Sequence, residues 1–249
     1  MPYTKAPNER GIAYTKDGLT VQIPNESTIF APIIPHMENF ITKAAEMEQV
    51  MNPEAIPAQA TRIAAPLYGA VRKALESALD NAREVETLKL RSLIPPPAVA
   101  EAAKTFGSEV RANFRSMNEA DKAKFLQNPT ALQLACVLEQ DGALSGASPQ
   151  ILELAREKAL SVFHTERSAL AASFPKSPSL ERMVATGTAE TDTQAAAAIA
   201  VANFKARVQA VEEDESVLQH LVGFLAVATS TTPAEALANV MGAKDGATD

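Results

Sequence analysis

A short capping side chain stands directly before a proline five times in this chain, at Asn52-Pro53, Asn128-Pro129, Ser148-Pro149, Ser177-Pro178 and Thr232-Pro233. A side-chain oxygen in that place accepts from a backbone N–H that a new helix leaves unpaired. Proline at the first helical position loses nothing, because its missing N–H would be unpaired anyway. Thr232-Pro-Ala-Glu235 and Ser116-Met-Asn-Glu119 add the spacing of a reciprocal capping box. So many helix starts leave room for little besides helices over most of the chain. The pattern predicts helices over about 36–51, 58–92, 96–116, 118–127, 129–140, 149–173, 178–186, 190–229 and 233–241.

The front of the chain differs. Eight of the 16 prolines fall in the first 66 residues, and all three tyrosines, Tyr3, Tyr14 and Tyr68, lie in nearly the same stretch. Residues 12–23 alternate apolar and polar on either side of Asp17-Gly18, a pair that tolerates the positive φ of a type I′ turn. A two-residue loop sets Tyr14 opposite Val21 and Ile12 opposite Ile23, with Thr15, Thr20 and Gln22 on the other face. A third extended piece is expected at Thr28-Ile29-Phe30-Ala31, before Pro32 and Pro35. The fold class is therefore mainly α: an irregular multi-helix bundle with an N-terminal extended arm that carries a small β-hairpin. The arm covers residues 1–35 with its hairpin at 12–23, and residues 36–249 form the helical domain, with a sub-division near 141–148. An isolated hairpin is marginal in water. Ile12, Tyr14, Val21, Ile23 and Phe30 are thus the arm's interaction candidates, docking on the helical body or on another molecule. Removing residues 1–35 is expected to leave the helical body folded.

Apolar stripes run along the helices. Leu67, Val71, Ala74, Ala78, Val85 and Leu88 recur at helical steps, and after Pro95-Pro96-Pro97 a second series follows at Val99, Ala103, Phe106, Val110, Phe114 and Met117. The two read as a helical hairpin whose alanines permit close approach. Val201, Phe204, Val208, Val211, Leu218, Val222 and Leu225 form a further stripe, the candidate interaction face of the helical part. No Gly or Pro falls between Ala189 and Val222, which favours one continuous helix. Ser216-Val-Leu-Gln219, preceded by the acidic run Glu212–Glu215, has instead the form of a new helix start. One helix and two pieces both remain open.

Chemistry-bearing residues are sparse. The histidines His36, His164 and His220 lack the partners at helical spacing that a metal motif requires. Cys136 lies in the apolar run Leu134–Leu138, where a thiol behaves as a small hydrophobe. A single Cys excludes a disulfide framework within the chain and fits a reducing compartment. Asp141-Gly-Ala-Leu-Ser-Gly146 lacks the Lys and preceding strand of a phosphate loop and reads as a helix stop and turn. No catalytic, cofactor or metal residues are assigned and no cofactor is expected. A net charge of −7 argues against direct nucleic-acid or anionic-membrane binding. No apolar run approaches the ~20 residues that span a bilayer. The chain is placed in the cytoplasm, or in a particle assembled there.

The run from Ser116 to Ser148, with Asn128-Pro-Thr-Ala-Leu132 and Leu144-Ser-Gly146 as its markers, resembles a stretch found in uncharacterised, Ala-rich helical proteins of tailed phages. That resemblance carries no catalytic residues and implies a context, a phage particle or its assembly. With 47 Ala and no Trp, the chain suits close helix packing better than an aromatic-lined ligand pocket. The first functional reading is a non-enzymatic structural or assembly protein whose partners are itself or other particle subunits. An acidic helical adaptor or inhibitor of a host or viral protein is the alternative. The third is an all-helical enzyme with a dispersed site, a reading that a pocket where His164 or His220 converges with carboxylates would favour.

Overall fold

Three short strands, β1 (Thr4–Asn8), β2 (Gly11–Lys16) and β3 (Leu19–Ile23), form an antiparallel sheet in that order. They belong to a computed structural model that describes residues 3–168 and 189–242. Asp17 and Gly18 take φ of 47° and 85°, as a type I′ turn requires. Tyr14 pairs with Val21 and Ile12 with Ile23, the register read from the sequence. The third strand is not the expected piece at 28–31, which forms a turn; it is β1, which pairs with the other side of β2. Pro7 is tolerated there because β1 is an edge strand and needs no second row of N–H donors. Gly11, at φ 149°, lets the chain enter β2: a Cβ there would lie 2.1 Å from the Ile23 carbonyl oxygen.

Nine α-helices are seen among the described residues, as the sequence class requires: α1 (Ile33–Val50), α2 (Ile56–Ile63), α3 (Ala65–Leu93), α4 (Pro97–Ser116), α5 (Glu119–Phe125), α6 (Ala131–Leu138), α7 (Pro149–Arg167), α8 (Glu190–Ala228) and α9 (Pro233–Gly242). The expected helix at 178–186, with its Ser177-Pro178 start, lies outside the described residues. Ser148 and Thr232 cap as expected. Ser148 Oγ accepts from the Ile151 N–H at 3.4 Å, and Thr232 exchanges bonds with Glu235 in a capping box. Three starts differ. Asn52 closes a turn instead, and α2 begins four residues later. Thr130, not Asn128, caps α6 in a box with Gln133, and Asn118, not Ser116, caps α5. The helix expected over 58–92 is broken at Ala64, because Pro66 supplies no N–H to continue the ladder. α1 starts before Pro35, which sits in the first turn where its missing N–H is harmless.

The chain divides into two units, one made of residues up to Glu84 together with those from Val208 onward, the other of Val85–Arg207. This replaces both the division at residue 35 and the sub-division near 141–148. In the first unit Tyr14, Val21, Ile23 and Phe30 are fully buried in one cluster with Met37 and Phe40 of α1, Leu67 and Val71 of α3, Phe224 and Leu225 of α8, and Val240 of α9. Residues 1–35 are thus part of a core, and are not a separate arm. Buried residues on α1 recur at Ile33, Met37, Phe40, Ala44 and Met47, the period of one helical face. Tyr3 fastens the edge: its hydroxyl donates to the Ala228 carbonyl at 3.4 Å, and its ring lies 6.1 Å from Phe40 and 6.4 Å from Phe224. Lys16 Nζ sits 4.2 Å above the Tyr3 ring and 2.5 Å from Glu48 Oε1. Its charge is thereby compensated although the residue is only 6% exposed.

In the second unit α6 lies against both α4 and α7. Leu134, Val137, Phe114, Ile151 and Phe163 share a core with Ala155 and Ala159, whose small side chains let α7 approach closely. Leu67, Val71, Ala74 and Ala78 of the first stripe enter the first core, and Val99, Ala103, Phe114 and Met117 of the second stripe enter the other. Phe106, read as a stripe member, is 52% exposed. α8 is continuous over its 39 residues. Ser216 starts no helix, and its carbonyl is instead contacted by His220 Nδ1 at 2.7 Å.

Deleting residues 1–35 removes five fully buried side chains, Tyr14, Val21, Ile23, Phe30 and Ile33. At about 2 kcal/mol each this loss approaches the whole stability of a domain. We expect the truncated protein to lose cooperative unfolding of the first unit, followed by circular dichroism in urea; retention of the full helical signal and a single sharp transition would contradict this packing. The Tyr14 hydroxyl is buried with no hydrogen-bond partner among the described residues. Burial, with the Glu38 charge second, pushes its pKa up to about 12 from an ordinary 10. The folded state therefore favours the neutral phenol. Its contribution is fully present below pH ~10 and is lost as pH rises through the folded value. Tyr14→Phe is expected to hold or raise stability by about 1 kcal/mol near neutrality and to lessen the alkaline loss, measured as midpoints between pH 7 and 12.

Candidate functional site

The candidate interaction residues do not meet on one surface. Of the hairpin set, Tyr14, Val21, Ile23 and Phe30 are at most 1% exposed, and Ile12 packs half-buried against the same core. These side chains dock on the protein's own helices. The α8 stripe divides between the units. Leu218 and Leu225 belong to the first core, beside the fully buried Leu221 and Phe224, which the stripe did not include, while Val208, Val211 and Val222 are half-buried. In the second unit Val201 and Phe204 are half-buried and border a small depression with Leu160, His164 and Arg167. Among the described residues no carboxylate lines that depression, and His220 is exposed elsewhere, its Nδ1 in a local contact with the Ser216 carbonyl.

A concavity of about 840 Å³ lies in the first unit. Ile29, Pro32 and His36 from the start of α1 and the turn before it form one wall, Pro66, Gly69, Ala70 and Lys73 of α3 a second, and Ala238, Asn239 and Gly242 of α9 a third. Pro66 and Gly69 keep the α3 wall low, since neither presents a long side chain. Among the described residues the lining carries two basic groups, His36 and Lys73, both exposed, and no carboxylate. Two of its hydroxyls are already engaged: Thr61 donates to the Pro57 carbonyl at 3.0 Å, and Tyr68 to Thr229 Oγ1 at 3.4 Å. Such a surface suits apolar contact with a polar margin better than proton transfer. Its walls come from residues spread between 28 and 242, so no local spacing announces it.

The run from Ser116 to Ser148 contains several residues in left-handed conformation. After α6, Gln140 and Asp141 take φ of 50° and 56°, followed by Gly142 at 83° and Gly146 at 63°. Two successive non-glycine residues in that region are costly. The surroundings hold them there. Arg111 pairs with Glu139, Arg115 Nη1 donates to the Leu144 carbonyl at 3.1 Å, and Ser145 Oγ donates to the Gly142 carbonyl at 2.7 Å. Lys122, 5% exposed, donates to the Gly146 carbonyl at 2.8 Å and to Glu119 Oε1 at 3.1 Å. Glu119 also accepts from Ser148 Oγ at 2.6 Å; that bond first, and Lys122 second, hold its carboxyl below the usual range. The sequence reading of a helix stop and turn is correct, but it missed Arg111, Arg115, Glu119 and Lys122. The spacing of Arg111 and Arg115 and of Glu119 and Lys122, each on one helix face, was the available signal.

Cys136 is fully buried in α6, and burial raises its thiol pKa, so thiolate is scarce. Within the acidic run of α8, Glu212, Glu213 and Glu215 are exposed; Asp214 is half-buried, and burial and then Glu213 raise its pKa. Among the described residues no three potential ligands converge as a metal site would need, and no single helix is long and apolar enough to cross a membrane.

Lys122→Met keeps the aliphatic bulk of the side chain but leaves the Gly146 carbonyl and Glu119 without its ammonium. We expect a loss of about 1–3 kcal/mol in urea unfolding and faster amide exchange confined to 139–148. Exchange rates unchanged across that segment would show that Lys122 does not hold it. Protein-family models, curated proteins and solved structures contain no match to this chain.

Proposed function

We propose that this protein is a non-enzymatic structural or assembly component, part of a phage particle or of its morphogenesis, that works through contacts between helices and protein partners. The observation that carries the reading is large apolar side chains left in solvent on the second unit. Leu90 and Ile94 on and just after α3, Phe106 on α4 and Ile199 on α8 are between 52% and 63% exposed. Covering such a side chain gains about 1.5–3 kcal/mol, a gain that a partner surface can supply and this unit forgoes. The resemblance over residues 116–148 supports the phage context. The rigid loop at 139–148 supports a recognition feature held in one shape before binding, which lowers the ordering cost of association.

Light scattering over a range of concentrations tests the reading, with a defined oligomer or association with particle proteins as the expected result. A protein that stays strictly monomeric and binds no particle would overturn it. The double variant Ile94→Ser/Phe106→Ser is expected to weaken association at least tenfold while shifting the urea midpoint little, because both side chains are already exposed.

The exposed carboxylates Glu212, Glu213 and Glu215 on α8, in a chain of net charge −7, favour a second reading as an acidic adaptor for a basic protein. In that case affinity capture returns a one-to-one complex that weakens with salt, and capture of only further copies of the chain opposes it.

A further inference from the structure

We draw no further inference here: the strongest candidate, the open cleft formed in the first unit by the starts of α1 and α3 together with α9, has its basic groups exposed and two of its hydroxyls already hydrogen-bonded, and nothing in the structure shows what covers it.

Discussion

Burial of one face of a three-stranded sheet organises the first unit, because strands of five or six residues cannot stand alone in water. Tyr14, Val21 and Ile23 become buried only when α1, the early part of α3 and the late part of α8 arrive together. The hairpin register fixes which side chains enter that core. A slip of one residue would exchange Tyr14 and Val21 for the polar Thr15 and Thr20, whose hydroxyls now bond each other at 2.8 Å on the outer face. Lys16 ends the same strand and must be buried with its charge. Glu48 and the Tyr3 ring meet that demand, and so the edge strand and α1 are tied to the hairpin by the same cation.

The second unit solves a different problem. Its core is ordinary, with α6 buried on most sides among Phe114, Leu126, Ile151 and Phe163. The polypeptide leaving α6, however, has to reverse through residues in left-handed conformation before α7 begins. Backbone carbonyls exposed by that reversal are satisfied by Arg115 and Lys122, reaching across from α4 and α5. Positively charged side chains here serve the protein's own chain, in a region where a reader of the sequence would assign them to solvent. Arg167 does the same at the end of α3, donating to the carbonyls of Arg91 and Ile94 at 3.0 and 2.6 Å.

What the residues reveal in advance follows the range of the interactions concerned. The hairpin is legible because Asp17-Gly18 and a period of two act within a dozen residues. β1 is not, because Thr-Lys-Ala-Pro-Asn has no alternation and becomes a strand only by pairing with β2. Helix starts at Ser148 and Thr232 are legible, whereas Asn52 uses the same dipeptide to make a turn, since asparagine bonds its own following backbone as readily as it caps a helix, and Asn128 leaves the cap to Thr130. Apolar stripes identify a buried face but not its neighbour: Leu67 and Val71 enter one core, Val99 and Phe114 another. The cleft and the cations bracing the 139–148 loop depend wholly on tertiary placement. They leave at most a trace, as in the spacing of Glu119 and Lys122.

One consequence lies in the order of synthesis. The first unit joins Tyr3 to Ala228 across 225 positions, while the second is a single uninterrupted stretch. On a ribosome the second unit has all its residues in hand first. The sheet, although made earlier, has its core complete only when Leu221 and Phe224 emerge. A closure spanning so much chain is slow, and the first unit's core stays incomplete through that interval.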